Sequence, residues 1–388
     1  MYDIVIIGAG PSGLAFACSL AGSGLSIALV DRKPREAIEN PEDDGREIAL
    51  THHSINILKQ LDVWSFIPSD AVSPLREARV LNGGSPFALR FGPPDKTGEA
   101  LGRLVSNFQI RRALYRQLDV LNNVDFYSGC AISAMHRMTD RTDLDLEDGR
   151  KISARLLVGA DSRFSWVRDQ LGISAEIDRL GRGMLVTRMK HEGNHGGVAT
   201  EWFDHHQTMA MLPLNNHRSS AVITLPMAES AKLGAMPEEE FAAEVARRYR
   251  HRLGAMQVDG PRCLYPLATT WSRQFVKPRA ALIGDAAVGM HPVTAHGFNL
   301  GLQGQELLAQ YVLAAHKKGR DIGSLATLRP YERRHQMNAM PIFRATNLIV
   351  KLFTDERPPA WVGRHAALRI ASFAPGLRRR VSNMLLAD

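Results

Sequence analysis

The sequence predicts an α/β fold: a Rossmann-type dinucleotide-binding domain with an inserted antiparallel sheet and a helical tail at its C-terminal end. Three observations predict it. Residues 2–31 read strand, glycine turn, helix, strand, within the roughly 30 residues of one βαβ unit. Residues 183–226 change to short alternating segments separated by turn residues, as in an antiparallel sheet. At Ala280 the continuous apolar run of a buried parallel strand returns, so the first domain is interrupted rather than finished.

The elements follow in order. Tyr2–Ile7 is wholly apolar after Asp3 and reads as a buried strand. Gly8 to Gly13 form the turn, and 14–21 are helical until Gly22 and Gly24 end the pattern. Residues 26–30 make the second strand, with Asp31 at its tip. The polar stretch 33–45, with Pro34, Pro41 and an acidic cluster, reads as an exposed loop. Residues 49–61 read as helix, with Ser54 an interruption. Residues 68–94, rich in Pro and Gly, are strand-like in places, and 107–121 are helical, with Ile110, Leu114 and Leu118 on one face. Residues 124–150 read as antiparallel strands around a Glu147-Asp148-Gly149 turn, and 156–159 as a buried strand ending in Ala160-Asp161. Residues 237–251 form an amphipathic helix. The expected domains are therefore 1–75, 100–180 and 275–350 for the dinucleotide, 76–99 and 181–274 for the substrate, and 351–388 as a basic helical tail.

Composition narrows the class. Of 388 residues, 45% are hydrophobic and 23% charged, as in an ordinary globular enzyme. The net charge of +8 comes without any aromatic-interleaved basic motif, so nucleic acid is not an expected partner. Much of that charge lies in the tail, where Arg357, Arg364, Arg369 and Arg378 to Arg380 alternate with Phe353, Trp361, Leu368 and Phe373. Two readings stay open: contact with an anionic membrane surface, or a packed tail with solvated charges. Cys18, Cys130 and Cys263 are far apart and form no CxxC, so neither a metal site nor a disulfide framework is expected, and a reducing cytoplasm fits. No apolar run reaches the ~18 residues of a membrane span, and the N-terminal apolar run lacks the pattern of a secretory signal.

Three motifs carry chemistry. Gly8, Gly10 and Gly13 give G-x-G-x-x-G between strand and helix. Gly8 permits the tight turn, Gly10 a close approach to a pyrophosphate, and Gly13 close packing of helix on strand. Pro11 and Ser12 open the helix whose free N–H groups face the phosphates, while Asp31, followed by Arg32, is placed to accept from ribose hydroxyls. This motif alone fits FAD and NAD equally. The second motif runs from Leu156 to Arg168 and delivers Asp161 to a turn; its residues equally suit an Asp/Ser helix cap. The third runs from Ala280 to Gly301. There Gly284-Asp285 ends a strand, Pro292 offers a flat apolar surface, and Gly297-Phe298-Asn299 heads a helix whose dipole favours negative charge.

Together the three segments resemble the class A FAD-dependent aromatic hydroxylases, of the para-hydroxybenzoate hydroxylase fold. GADSRFSWVR and GDAAVGMHPVTAHGFNLGL, with Arg46-Glu47-Ile48-Ala49-Leu50 and the run from Val105 to Leu114, are most similar to the ubiquinone-biosynthesis hydroxylases. The resemblance covers about residues 1–350 and is weakest in the inserted sheet. It implies non-covalent FAD, with NAD(P)H as co-substrate. Asp31 would hold the adenosine ribose, Arg46 and Arg111 the ribityl and phosphate portion beside Asn107, and Asp161 the shared nucleotide motif. Asp285 would hold the ribityl chain, and Pro292, Gly297, Phe298 and Asn299 would line the ring. His291, Pro292 and His296 become catalytic candidates, and Met209, Met211, Leu212 and Pro213 candidate substrate-lining residues. Val288, His296 and Ser162 depart from the family's usual His, Gln and Gly.

The implied reaction is hydroxylation of a prenylated phenol or quinol with O2, through a C4a-hydroperoxyflavin, in ubiquinone biosynthesis. The implied location is cytoplasmic or peripheral at the inner membrane, in contact with lipid or with other proteins of that pathway. Alternatives are hydroxylation of another aromatic metabolite, a prenyl reductase, and a flavin-bearing assembly subunit. The W-x-W-x-I-P motif of flavin halogenases is absent.

Overall fold

A computed structural model describes residues 1–85, 88–92, 100–121, 123–204, 206–292 and 296–354. The dinucleotide half is built on an eight-stranded sheet. Its main path runs 276–277, 280–282, 151–159, 2–7, 27–31, 124–128. The strands Ala280–Leu282, Lys151–Gly159, Tyr2–Ile7, Ile27–Asp31 and Val124–Ser128 are mutually parallel. Residues 4–7, 27–30, 156–158 and 280–282 are apolar and almost wholly buried, as strands covered on both faces require, whereas Val124–Ser128 at the end of the parallel set is half-exposed.

Helix Pro11–Ser19 starts with proline at its first turn, where the missing N–H costs nothing, and buries Leu14, Phe16 and Cys18. It is flanked by helix Asn107–Asp119, which buries Ile110, Leu114 and Leu118 as expected, and by the long helix His296–Lys317.

Two local expectations change. Residues 49–61 are a strand and then a helix. Glu47–Leu50 pairs with Gly102–Ser106, and helix His52–Gln60 starts after Thr51, whose side chain accepts from Ser54 N at 3.2 Å. Ser54 is thus the capped third residue of that helix, not a break. Val124–Ser128 is parallel to Ile27–Asp31, not part of an antiparallel run, because a helical crossover precedes it. The antiparallel hairpins begin only at Ile132–Arg137 and Thr142–Leu146.

The second sheet has nine strands, with main order 288–289, 263–272, 175–191, 218–226, 207–214, 198–204, 77–82, 88–91. The antiparallel pattern expected for 183–226 is present. Helices Met227–Gly234 and Glu238–Arg248 cover one face, burying Leu233, Phe241 and Val245 against Leu185, Trp202 and Ile223. A small third sheet, 47–50, 102–106 and 73–75, lies near the other face, where Ser73–Leu75 and Gly102–Ser106 approach Gln207–Leu214. Helix Leu325–Thr354 ends the described chain, so the expected tail 351–388 falls largely outside the described residues, as do 86–87 and 93–99 of the expected substrate domain.

Candidate dinucleotide site

The three motifs meet at one place. Gly8 has φ +109°, and a Cβ there would lie 2.4 Å from the carbonyl oxygen of Ala160. A Cβ on Gly13 would lie 1.9 Å from the carbonyl oxygen of Gly8. Glycine is therefore required at both positions by the chain itself. Gly10 is different: a Cβ there would meet nothing within 4 Å. Its open side is where a ligand's phosphates can approach the backbone.

Ser12 joins the first motif to the third. A Cβ on Gly284 would lie 2.5 Å from Ser12 Oγ, and one on Gly301 would lie 2.8 Å from it. Gly301 was not singled out in the sequence. Its signal was the i, i+4 spacing from Gly297, which places both on one helix face.

The carboxylates divide into two kinds. Asp31 accepts from Ala9 N at 2.7 Å and from Lys33 N at 2.8 Å, which fixes the fingerprint loop. Each oxygen has a further lone pair for a ribose hydroxyl. Asp285 pairs with Arg163 (3.0 Å), which also donates to the carbonyl of Ala268 at 3.0 Å, and it remains 38% exposed. Arg163 was missed in the sequence, although only Ser162 separates it from Asp161. Asp161 itself is turned inward. It accepts from Ser165 Oγ at 2.5 Å and from Val167 N at 3.0 Å at the start of helix Trp166–Gln170. Burial pushes its carboxyl up, and these hydrogen bonds work against the rise. Beside it Ser162 holds φ +107°, a conformation that suits the glycine its relatives' motif carries there.

Arg46 and Arg111 lie side by side in different states. Arg46 donates to Asp44 from Nη2 at 2.6 Å and from Nε at 3.0 Å, and lies 5.3 Å from the ring centre of Tyr265. Asp44 also accepts from Asn107 Nδ2 at 2.7 Å, and its carbonyl accepts from Tyr265 OH at 2.7 Å. Asp44 and Tyr265 were missed; the acidic cluster 42–44 looked like solvated loop. Arg111 makes no hydrogen bond or ion pair among the described residues. Burial lowers its pKa, and Asp44 and Asp31 only partly oppose that. A half-buried, unpaired guanidinium beside the open side of the fingerprint suits a phosphate.

Around the third motif, Asn299 ties its helix to the small sheet. It donates from Nδ2 to the carbonyl of Ala49 at 2.9 Å and accepts from Thr51 N at 3.2 Å. Gly297 has room around it, the nearest atom to a Cβ being Met290 Cβ at 3.7 Å, and Phe298 is half-buried. His291 is buried and its pKa is lowered to about 4, first by burial and then by Arg182 and Arg163. It is a neutral imidazole near pH 7. His296 is buried at the start of the long helix. Val288, where relatives often have His, is buried in a strand pair opposite Trp271, which calls for an apolar side chain. Arg32 is exposed.

The expected substrate-lining residues require correction. Met209 and Met211 are 0% and 2% exposed and pack with Trp202, Phe241 and Val245, on the face covered by the helices. Neither can line a cleft. Leu212 alternates to the other face, and Pro213 lines a surface pocket with His195 and His217. Alternation in the sequence says that faces differ but not which face is inward, and so does not separate these four residues.

Comparisons fit this geometry. The profile of a family described as an FAD binding domain matches residues 1–345. The chain is 42% identical to ubiquinone hydroxylase UbiM of Neisseria meningitidis, over 99% of this chain and 84% of that one. It is 33% identical to ubiquinone hydroxylase UbiL of Rhodospirillum rubrum, over 94% and 85% of the two chains. Among solved structures, p-nitrophenol 4-monooxygenase from Pseudomonas putida superposes with a TM-score of 0.79 at 16% identity, over 100% and 98% of the two chains. At that identity the likeness shows the fold, in agreement with the para-hydroxybenzoate hydroxylase fold expected from the motifs.

Proposed function

The chain belongs to the family of FAD-binding hydroxylases whose domain profile spans residues 1–345, and on that premise we propose that it hydroxylates the aromatic ring of a prenylated phenol or quinol in ubiquinone biosynthesis, with NAD(P)H and O2 as co-substrates. The observation that carries the reading is the convergence of the three motifs on the fingerprint turn, the second packed on Gly8 and Gly13 and the third on Ser12, with the Gly10 side open and Arg111 unpaired within electrostatic reach of Asp31. The relatives named as ubiquinone hydroxylases support the substrate class.

The residues present fit FAD. The amides of Gly10, Ser12 and Gly13 together with Arg111 would hold the pyrophosphate, Asp31 the adenosine ribose, and Asp285 the ribityl chain. Gly297 and Phe298 would flank the ring. Asp161 contributes indirectly, by fixing the turn on which Arg163 stands. When bound, FAD supplies hydride uptake from NAD(P)H and activation of oxygen. The chain's own part is to orient the ring and exclude water. His291, neutral at physiological pH, can donate or accept a hydrogen bond there without adding charge.

Among the described residues no helix is long and apolar enough to cross a membrane. We propose that the basic, apolar tail contacts an anionic membrane, where a prenylated substrate would be found.

Purified protein should be yellow, and a prenylated phenol should stimulate NAD(P)H oxidation with matching oxygen uptake. Reduction of the substrate without oxygen uptake would assign a prenyl reductase. No stimulated turnover would point to an assembly role. A cell lacking the protein should accumulate the unhydroxylated precursor, read by mass spectrometry.

A further inference from the structure

The face of the nine-stranded sheet that looks toward the dinucleotide half follows from contacts and register. Arg188 reaches Asp43 and Glu47, and Tyr265 reaches Asp44, all in the segment leading to the small sheet. Gly45 lies there against the carbonyl of Val186 and Sγ of Cys263. Arg188 and Val186 are alternate residues of one strand and so share a face. Directly paired residues also share a face, which continues the row from Val186 to Val222, Ala210, Glu201 and Val80. The neighbouring row, with Leu185, Ile223, Met209 and Trp202, faces the covering helices instead.

Glu201 is the one ionisable group in an otherwise apolar row. On its own strand the same-face neighbours are Ala199 and Phe203, and across the pair it meets Ala210. It makes no hydrogen bond or ion pair among the described residues. It lies deep, yet keeps part of its surface accessible. A carboxyl left without a partner in such a place costs stability and is retained for a reason other than packing.

Resting on the hydroxylase reading above, we propose that Glu201 is the proton acceptor for the ring hydroxyl of the substrate. The phenol O–H bond breaks and an O–H bond forms on the Glu201 carboxylate. The electron pair stays on the ring oxygen, so the negative charge passes from Glu201 to the ring. The step needs no oxidant. It makes the ring more nucleophilic toward an electrophilic oxygen, and the proton returns to the product oxygen when the ring regains aromaticity. Two of the three neighbours of Glu201 on this face, Ala199 and Ala210, carry only a methyl group.

The charged groups near this row do not hold Glu201 in either state. Arg188 is committed to Asp43 and Glu47. Glu77 and Arg79 pair with each other on the opposite face, and Arg90 lies 3.9 Å from Glu77. Asp204 belongs to the opposite face of the same strand, where Arg250 approaches it at 3.7 Å. Arg103, on strand Gly102–Ser106, donates to the carbonyl of Gly102. Burial alone raises the Glu201 carboxyl, to about 8, which brings it nearer to a phenol than an ordinary carboxyl would be.

The test uses the FAD-loaded protein and a simple phenol of pKa about 10, whose phenolate absorbs at longer wavelength than the neutral phenol. Between about pH 8, where Glu201 ionises, and the probe's own pKa, wild type should show the phenolate band on binding, and Glu201→Gln should bind the probe without it. The value of kcat/KM for a prenylated phenol should rise with pH to a plateau through about pH 8. In Glu201→Gln that rise should vanish and the rate fall by roughly 100-fold. Glu201→Asp should restore part of the band. Identical probe spectra and an unchanged pH profile in Glu201→Gln would overturn the proposal. A phenolate band in wild type without oxygen-coupled turnover would keep Glu201 as acceptor and defeat the hydroxylase reading instead.

Discussion

Replacing Glu201 by Gln should make the protein's stability less sensitive to alkaline pH, and the size of the effect can be worked from its surroundings. Burial raises the carboxyl from 4.5 to about 8. The folded-state value lies above the unfolded one, so the favourable contribution is fully present below pH 4.5 and is lost as pH rises through about 8. A rise of that size sets a ceiling of ~5 kcal/mol. Water reaching the partly exposed carboxyl reduces the expected effect to ~2 kcal/mol. Gln has nearly the same shape and never ionises. In urea unfolding followed by tryptophan fluorescence, Glu201→Gln should therefore gain ~2 kcal/mol on wild type between about pH 5 and pH 9. Trp202, next in the chain and wholly buried, reports on the same strand. A difference between the two proteins that stays constant across that range would refute the reasoning, because Glu201 would then be solvated or paired in the folded state.

Three further outcomes follow from other residues. Ser162→Gly should stabilise by ~1 kcal/mol in urea unfolding, since φ +107° strains serine and not glycine, and the strain of ~1–3 kcal/mol exceeds the entropy glycine adds to the unfolded chain. Arg111→Met should leave the FAD-free protein at least as stable as wild type, because Arg111 has no partner to lose, while FAD affinity by fluorescence titration falls at least ~10-fold. His291 is neutral above a pKa of about 4, so the pH dependence of kcat between about pH 5.5 and 7 should show no protonation step assignable to it, and His291→Asn should leave the shape of that profile unchanged.

Much of the dinucleotide half was legible because it rests on local rules. Continuous apolar strands, glycines at fixed offsets and an acidic strand tip each have a one-residue physical reason, and Gly8, Gly13 and Asp31 lie where those reasons place them. Facing was less legible. Alternation in TMAMLPL told that two faces exist, but Met209 and Met211 turned to the helices, because the chain distance to Phe241 and Val245 hides which face they cover. Asp44 was unreadable for a related reason. An acid beside Pro and Gly looks solvated until Asn107 and Tyr265 are brought to it from two distant segments and Arg46 of its own segment closes on it. Glu201 was passed over because a single glutamate in ATEWFDHH fits an outward strand position, and only register with Val186 shows the direction of its face.

The junction at Ser12 explains why the first and third motifs function as one site although most of the chain separates them. Ser12 fills the space that a side chain at Gly284 or Gly301 would need, so the strand tip, the long helix and the fingerprint helix close on one hydroxyl. The two glycines make that space for different reasons, and a pair of mutant cycles separates them. Gly301 is inside a helix, where alanine is intrinsically better by ~1 kcal/mol, but its Cβ would meet Ser12 Oγ at 2.8 Å. Gly301→Ala should therefore cost ~1 kcal/mol net in wild type and gain ~1 kcal/mol when Ser12→Ala removes the hydroxyl, a coupling of ~2 kcal/mol. Gly284 has φ +58°, and its Cβ would also meet Ser12 Cβ at 2.9 Å. Removing the hydroxyl relieves neither, so Gly284→Ala should stay destabilised in both backgrounds and should weaken FAD binding in both. Equal rescue of the two by Ser12→Ala would mean that the backbone at Gly284 is free to relax, and that the carboxylate of Asp285 is not held at a fixed distance from the fingerprint turn.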